Sequence, residues 1–258
     1  MTKLAVVTGA AQGVGFATAA LLARQGFEVL LTDVQALDAP LSRLRGEGLR
    51  VAGVCGDVAS EAFADELAKR VVADYGAADV LVNNAGISLI CPAEDTTAAQ
   101  WQRVLSINLL GPFLLSKYLG GAMLGRRRGS IVNVASVAGL AGVSHRSAYN
   151  ASKHGLIGLT RTLAAEWGGR GVRVNAVCPG WIKTEMDVAD QGSGAYSDQD
   201  IVDRVPMARF ARPEDVAAAI AYLADGDKSA FVNGITLPVD GGWTADASWD
   251  SLRIRTRT

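Results

Sequence analysis

The stretch VVTGAAQGVGFA, residues 6–17, decides the fold of this 258-residue chain. It joins a β-branched apolar run to a stretch of small helix-forming residues, and Gly9, Gly13 and Gly15 lie between the two. Glycine lets the backbone approach a ligand closely, and a helix N-terminus offers free N–H groups and the positive end of its dipole. The pattern TGxxxGxG therefore indicates a phosphate-binding turn, although this spacing alone is a weak signal.

Further apolar segments resemble the first and alternate with helical patterns. The strands are predicted at 3–8, 28–33, 50–55, 79–84, 130–135, 173–178 and 235–240. Helical spacing occupies 14–25, 60–75, 97–124, 148–168 and 213–224. Near-continuous apolar strands separated by helices are typical of a parallel sheet covered on both faces. We therefore expect one α/β domain over residues 1–258, with a doubly wound, Rossmann-type sheet.

Two segments stand apart from this alternation. Residues 187–206, DVADQGSGAYSDQDIVDRVP, are polar and follow a predicted strand. Open α/β sheets bind ligands beyond the carboxyl ends of their strands, so we predict a substrate lid here, with a passive surface loop as the alternative. The C-terminal extension 246–258, DASWDSLRIRTRT, alternates charged and apolar residues. It either packs on a neighbouring subunit or frays.

Composition excludes several classes of function. Lys and Arg total 25 against 26 for Asp and Glu, so no net field recruits nucleic acid or an anionic membrane. No signal-length or membrane-length apolar run is present in the sequence. Three separated cysteines, Cys55, Cys91 and Cys178, are expected to be reduced thiols of a cytoplasmic protein. The two histidines, His145 and His154, lack a third ligand at suitable spacing, so no metal site is expected.

Asp33 closes the second predicted strand, eighteen residues after Gly15. A carboxylate there can accept hydrogen bonds from the ribose hydroxyls of a dinucleotide, and it repels a 2′-phosphate. The neighbouring positions Gln12 and Val34 are neutral. This pattern favours NAD over NADP, and a plain turn or capping role for Asp33 is the alternative.

A second cluster follows the fifth strand. Ser136 comes at the strand end, Tyr149 thirteen residues later, and Lys153 four residues beyond it. Residues four apart share one helix face, so the phenol and the ammonium point the same way. Nearby positive charge lowers the pKa of a phenol toward the range in which it can act as a base. Any one of the three alone is more often a surface residue, but their joint spacing predicts a catalytic site.

Seven motifs occur in one order along the chain. They are TGxxxGxG (8–15), NNAG (83–86), Asn108 within SINLLGPF, Ser136, YxxxK (149–153), PGWIKTEM (179–186) and PVDGGW (238–243). Together, over residues 3 to 245, they resemble the short-chain dehydrogenase/reductase family. The resemblance implies that Tyr149 is the general acid/base, Ser136 holds the substrate oxygen, Lys153 holds the nicotinamide ribose, and Asn108 supports a proton-relaying water chain.

The resemblance also implies contacts to the cofactor and the subunit assembly. Family members are commonly homotetramers. The implied cofactor-binding residues are Gly9, Gln12, Gly13, Val14, Gly15, Asp33, Asp57, Val58, Asn84, Ala85, Gly86, Tyr149, Lys153, Pro179, Gly180, Ile182 and Thr184.

The substrate is less determined than the reaction. Polar residues before the catalytic helix and in the predicted lid favour a small hydrophilic alcohol, such as a sugar or cyclic polyol, although aromatic residues could also floor an apolar pocket. Expected substrate contacts are Ser136, His145, Arg146, Tyr149 and Trp181. Reduction of 3-oxoacyl thioesters and a non-catalytic dinucleotide sensor are the alternatives.

Overall fold

The computed structural model describes residues 2–184, 188, 190 and 196–249. Within them, seven parallel strands form one sheet in the order β3-β2-β1-β4-β5-β6-β7. The strands are β1 Leu4–Thr8, β2 Glu28–Asp33, β3 Val51–Cys55, β4 Val80–Asn83, β5 Gly129–Val134, β6 Val172–Pro179 and β7 Thr236–Val239. Each predicted strand is present within one residue of its predicted ends. The predicted doubly wound α/β fold is confirmed.

Helices cover both faces of this sheet. They are α1 Gly13–Arg24, α2 Asp38–Gly46, α3 Glu61–Tyr75, α4 Ala98–Leu105, α5 Gly111–Gly125, α6 Ser147–Gly168, α7 Asp198–Arg204 and α8 Pro213–Ala224. One core lies between the sheet and α1 and α8, and another lies between the sheet and α3, α5 and α6. Burial from both sides is why the strands are almost continuously apolar. No helix in the described ranges is long and apolar enough to cross a bilayer.

Two helices were missing from the sequence prediction. Helix α2 is short and contains Pro40, a residue typical of turns, although Leu37, Leu41 and Leu44 stand at helical spacing and pack on the core. Helix α7 lies inside the predicted lid and begins with a capping box between Ser197 and Asp200. That pattern is a local start signal for a helix. Of the predicted lid, residues 187, 189 and 191–195 lie outside the described residues, as do residues 250–258 of the C-terminal extension.

The predicted helix at 97–124 is not regular along its length. Helix α4 passes into a π-helical turn at Ser106–Leu110, and α5 continues from it. A π-turn admits an extra residue into the helix and is frequent at functional sites. Here it buries Asn108 completely, on the side of the helix that faces the loop after β4.

The strand order reverses between β1 and β4, and side-chain bonds tie these two strands together at their carboxyl ends. The side-chain amide of Asn84 donates to the carbonyls of Thr8 (2.9 Å) and Gly9 (3.0 Å). In return, Thr8 Oγ1 accepts from the backbone N–H groups of Asn84 (3.0 Å) and Ala85 (2.9 Å). Loops diverge at such a switch point and leave a crevice for ligands. These four bonds therefore set the mouth of the crevice.

Two adjacent glycines of α5 give a matched test of the packing. A Cβ on Gly120 would lie 2.8 Å from Cζ3 of the buried Trp167, whereas nothing lies within 4 Å of a Cβ on Gly121. Overpacking costs about 1–3 kcal/mol, and replacing a helical glycine by alanine contributes about 0.5–1 kcal/mol. We expect Gly120→Ala to lower, and Gly121→Ala to raise, the free energy of unfolding measured in urea. Equal effects of the two substitutions would contradict this packing of α5 against α6.

Candidate active site

A cavity of about 410 Å³ opens at the carboxyl edge of the sheet. The segments that follow β1, β3, β4, β5 and β6 line it, together with Asp33 at the end of β2. Most of the predicted site residues lie in its lining, namely Gly9, Gln12, Gly13, Val14, Asp33, Asp57, Val58, Asn84, Ala85, Gly86, Ser136, Arg146, Tyr149, Lys153, Pro179, Gly180, Trp181, Ile182 and Thr184. Gly15, Asn108 and His145 are not part of that lining.

The glycine turn forms one end of the cavity. Gly9 has φ +62°, and a Cβ there would lie 2.8 Å from the Cα of Ala85. A Cβ on Gly15 would overlap the carbonyl oxygen of Gly9, so this position packs the helix onto the turn. Gln12, the N-cap residue of α1, makes no side-chain capping bond to the first-turn N–H groups. A turn that no side chain fills, facing uncapped N–H groups, fits a phosphate.

Asp33 links this turn to β2. Its Oδ2 accepts from the N–H of Ala11 and its Oδ1 from the N–H of Gln35, both at 3.0 Å. The side chain is buried yet lines the cavity. A carboxylate has about four acceptor sites, so both oxygens can still accept bonds from ribose hydroxyls. The turn role that the sequence left open and the ribose-binding role are therefore compatible in this geometry.

The cavity narrows toward the catalytic helix at Gly86. A Cβ at this position would lie 3.2 Å from Asn108 Oδ1 and 3.6 Å from Lys153 Nζ. Gly180, on the opposite wall, would place a Cβ 2.9 Å from the Cα of Asp240. A side chain is therefore excluded at Gly180, where it would meet backbone, and a Cβ at Gly86 would be tight against Asn108.

Three side chains converge at this narrow end. Lys153 Nζ lies 5.5 Å from the centroid of the Tyr149 ring and donates to the carbonyl of Val134 at 2.8 Å. Ser136 hydrogen-bonds the Tyr149 phenol through its side chain. The helix α6 supplies the phenol and the ammonium, and the end of β5 supplies the serine, as the spacing predicted. A hydroxyl-bearing carbon placed here would meet a proton acceptor and a hydrogen-bonding partner together.

The pKa of Tyr149 differs from the expectation drawn from sequence. Burial raises the pKa of the phenol, and this effect outweighs the hydrogen bond from Ser136 and the positive charge of Arg146, which both lower it. The expected lowering by Lys153 is therefore wrong for the protein alone. The physical reason is that desolvation penalises the phenolate more than the surrounding groups stabilise it.

The pKa of Lys153 shifts in the opposite direction, downward. Burial lowers the pKa of its ammonium from 10.5 to about 8, and the thiol of Cys178 opposes this only in part. Burial likewise raises the pKa of the Cys178 thiol to about 11, so the thiol is neutral at neutral pH. Lys153 therefore holds its positive charge near neutrality but is close to losing it.

Asn108 does not line the cavity but hydrogen-bonds to Ile87, which does. Its Oδ1 accepts from the N–H of Ile87 and its Nδ2 donates to the carbonyl of the same residue, both at 2.9 Å. The Nδ2 also donates to Ser152 Oγ at 3.2 Å, and Ser152 Oγ donates to the carbonyl of Tyr149 at 2.7 Å. Asn108 therefore connects the loop after β4 to the helix that carries Tyr149 and Lys153.

The far side of the narrow end is both aromatic and charged. Trp181 packs against Trp243 with ring centroids 5.2 Å apart. Arg146 pairs with Asp190 at 2.8 Å, and both side chains line the cavity. The prediction that His145 contacts substrate is not supported, because its side chain is exposed and outside the lining. Its backbone, at φ +60°, instead turns the chain so that the next residue, Arg146, faces the cavity.

Sequence reasoning missed several residues of the cavity wall. Asp190 was included only as part of the predicted lid, and no motif distinguishes it from the other acidic residues there. Arg103 lines the opposite end, where its Nη1 donates to Asp57 Oδ2 at 3.2 Å. Val143 also lies in the wall, together with Tyr196, which is one of the aromatic residues that the sequence offered as the base of an apolar pocket. None of these belongs to a spacing pattern, so the fold alone brings them to the site.

Known proteins with similar sequence and structure place this site in context. The family described as Enoyl-(Acyl carrier protein) reductase matches residues 9–244. D-threitol dehydrogenase of Mycolicibacterium smegmatis is 40% identical over 244 residues, which cover 94% of this chain and 93% of the relative. Cis-4-hydroxycyclohexanecarboxylate dehydrogenase of Sinomonas cyclohexanicum is 43% identical over 245 residues, covering 94% and 97%.

A solved structure from Beutenbergia cavernae, assigned as an NAD(P)-dependent gluconate 5-dehydrogenase, superposes with a TM-score of 0.89. It is 40% identical, and the match covers 95% of this chain and 97% of that one. That crystal contains NADP at low occupancy.

The buried lysine predicts a distinctive dependence of stability on pH. Its folded pKa of about 8 lies below the ordinary 10.5, so the unfolded chain binds the proton more tightly between these values. The free energy of unfolding of wild type minus that of Lys153→Met should therefore increase as the pH rises from about 8 to about 10.5, by up to about 3 kcal/mol. Below about pH 8 this difference should stay constant. Urea unfolding at about pH 7.5 and about pH 10 measures this difference. Lys69→Met removes an exposed lysine and should show no such increase. If the difference between wild type and Lys153→Met is the same at both pH values, the charge of Lys153 is not buried.

Proposed function

The chain belongs to the short-chain dehydrogenase/reductase family, and from this premise we propose that it oxidises a polar secondary alcohol, such as a sugar or cyclic polyol, with NAD. The observation that carries the proposal is the convergence of Tyr149, Ser136 and Lys153 at the narrow end of one cavity. Enzymes of this family act on CH–OH groups. The relatives named above include dehydrogenases of a polyol and of a cyclic alcohol.

In this proposal the cofactor lies along the cavity, from the glycine turn to Gly86. Asp33 and Asp57 would hold the adenosine end, the uncapped N–H groups of α1 the phosphates, and the segment 179–184 the nicotinamide end. When bound, the oxidised cofactor supplies the hydride acceptor and a positive charge beside the phenol. That added charge acts in the direction needed to offset the burial that raises the pKa of Tyr149.

The side chains of the protein handle the proton. Tyr149, as the phenolate, accepts the hydroxyl proton of the alcohol, while Ser136 hydrogen-bonds the same oxygen and orients it. Lys153, whose Nζ lies 5.5 Å from the phenol ring centroid, would hold the nicotinamide ribose. Asn108 holds the carbonyl of Ile87 in place and would support the water chain that returns the proton to solvent.

The preference for NAD rests on Asp33. A 2′-phosphate would lie against its carboxylate, and the adjacent lining residues Val34 and Gln35 carry no positive charge. This also argues against 3-oxoacyl-thioester reduction with NADPH. The intact Ser136, Tyr149 and Lys153 argue against a non-catalytic sensor. The free cysteines fit a reducing cytoplasm, and a homotetramer stays our expectation from the family.

Replacing the phenol tests the reaction directly. Tyr149→Phe should reduce kcat for NADH formation from sugars and polyols by about 10²–10⁴-fold, because general acid–base catalysis contributes that much. Binding of NADH, measured by fluorescence titration, should be unchanged. Tyr222→Phe removes an exposed hydroxyl outside the cavity lining and serves as the control. Retained turnover in Tyr149→Phe would refute the assigned role.

A charge change at position 33 tests the cofactor. Asp33→Asn keeps an acceptor oxygen for one of the two backbone bonds and removes the repulsion of a 2′-phosphate. The ratio of kcat/KM with NADP to that with NAD should rise by about tenfold or more, which corresponds to roughly 1.4 kcal/mol. Asp38→Asn removes an exposed carboxylate outside the cavity lining and should leave the ratio unchanged. If Asp33→Asn also leaves it unchanged, Asp33 does not select the cofactor.

A further inference from the structure

A shielded ion pair lies in the wall of the cavity, beside the catalytic helix. Arg146 Nη1 and Asp190 Oδ2 are 2.8 Å apart, and their side chains are only 12% and 15% exposed. Both line the same cavity as Tyr149 and Ser136. Among the ion pairs of the described residues, several join half-exposed side chains on the surface, such as Arg70 and Asp74. The pair in the wall is therefore of a different kind, because solvent screens it little.

Arg146 is held in place by neighbours besides Asp190. Its Nη1 also donates to Ser88 Oγ at 2.6 Å. Its backbone forms an isolated parallel bridge with Cys91, whose N–H donates to the carbonyl of His145 at 2.8 Å. The guanidinium is thus positioned before any substrate arrives, and a preorganised group loses little freedom on binding.

The pair lies beside the reacting group. Arg146 immediately precedes α6, whose first turn carries Tyr149, and Arg146, Asp190 and Tyr149 line one cavity. The positive charge of Arg146 lowers the pKa of the Tyr149 phenol, and the negative charge of Asp190 raises it. A substrate whose hydroxyl meets Tyr149 would therefore extend its neighbouring carbons along the wall that carries this pair.

The hydrogen-bonding capacity of the pair suits a hydroxyl. Within the described part of the chain, the hydrogen bonds of the Arg146 guanidinium all use Nη1. A guanidinium carries five N–H donors, so donors remain for a substrate oxygen. Asp190 is a charged acceptor. A hydroxyl can accept from the first and donate to the second, and hydrogen bonds to ionised partners are the strong ones.

We propose that Arg146 and Asp190 together bind a second hydroxyl, adjacent to the reacting one, on a neutral polyol, and that Asp190 rejects substrates that carry a carboxylate there. The inference rests on the proposed function and names its substrate class. A carboxylate could pair with Arg146 only by facing the carboxylate of Asp190, and like charges at such range are unfavourable. A simple alcohol offers neither charged group a hydrogen bond and covers the pair with apolar surface, which is unfavourable.

The test compares three alcohols that differ in the group carried by the carbon next to the reacting one. They are meso-erythritol, 3-hydroxybutyrate and 2-butanol, four-carbon secondary alcohols whose carbon next to the reacting one carries a hydroxyl, a carboxylate or a methyl group, respectively. Each is assayed for NADH formation with NAD. Wild type should favour erythritol over each of the others by about 100-fold or more in kcat/KM, since a site built for a hydroxyl discriminates strongly against its absence. Asp190→Asn leaves Arg146 unopposed. It should lower kcat/KM for erythritol and raise that for hydroxybutyrate, each by about tenfold, which changes their ratio by about 100-fold.

The ratio isolates recognition from catalysis. Asp190→Asn also alters the charge near Tyr149, but both substrates use the same phenol, so this change cancels in their ratio. Asp74→Asn breaks the exposed Arg70–Asp74 pair, which lies outside the cavity lining, and should leave the ratio as in wild type. A ratio that stays within about twofold in Asp190→Asn would overturn the proposal, while Tyr149-dependent turnover would still support the proposed function.

A binding measurement decides the matter even without turnover. Calorimetric titration of the NADH-saturated wild-type protein should show erythritol binding and no binding of hydroxybutyrate at equal concentration. Asp190→Asn should bind erythritol more weakly than wild type does, and it should bind hydroxybutyrate. Its melting temperature is measured to show that the variant is folded. Equal binding of the two ligands by wild type, or no binding of erythritol, would overturn the inference. Failure of turnover on all three alcohols, with erythritol binding intact, would instead count against the proposed oxidation alone.

Discussion

The bonds between Asn84 and the Thr8–Gly9 turn are the constraint on which the rest of the site depends. They join β1 and β4 where the strand order reverses, so the loops on either side cannot drift apart. Unpaired carbonyls at this depth would be costly, and the single amide of Asn84 satisfies two of them. The glycine turn on one side and Gly86 on the other are thereby held at a fixed separation. A long, flat ligand needs such a separation along its whole length.

Short sequence patterns were enough to predict the sheet and the cavity at its carboxyl edge. β-branched runs such as 28–33 can be buried on both faces only between helices, and the glycines at 9, 13 and 15 have a function only where a backbone must approach closely. The spacing of Tyr149 and Lys153 follows from one helical turn. In each case the information lies within a few residues of chain, which is why sequence reasoning could reach it.

Other features depend on contacts that no short pattern records. Helix α2 is only nine residues long and includes Pro40, so its helical pattern is short and interrupted. Asp190 meets Arg146 across 44 positions of sequence, and only the fold brings the two together. The raised pKa of Tyr149 reflects how much of the fold surrounds it, and desolvation is not visible in a list of neighbours. His145, which precedes the catalytic helix with φ +60°, has an exposed side chain outside the cavity lining, and neither feature can be read from its neighbours in sequence.

The π-helical turn at Ser106–Leu110 has a consequence for how this chain can change over generations. A π-turn is an α-helix with one residue too many, and it costs stability that a regular helix would not. Loss of a single codon there would restore regular winding, yet it would rotate Asn108 by about 100° relative to Ile87 and Ser152, because each helical residue advances the chain by that angle. A regular helix here would favour stability, whereas the position of Asn108 requires the π-helical turn. A deletion in the segment would therefore cost more function than a substitution on its exposed face.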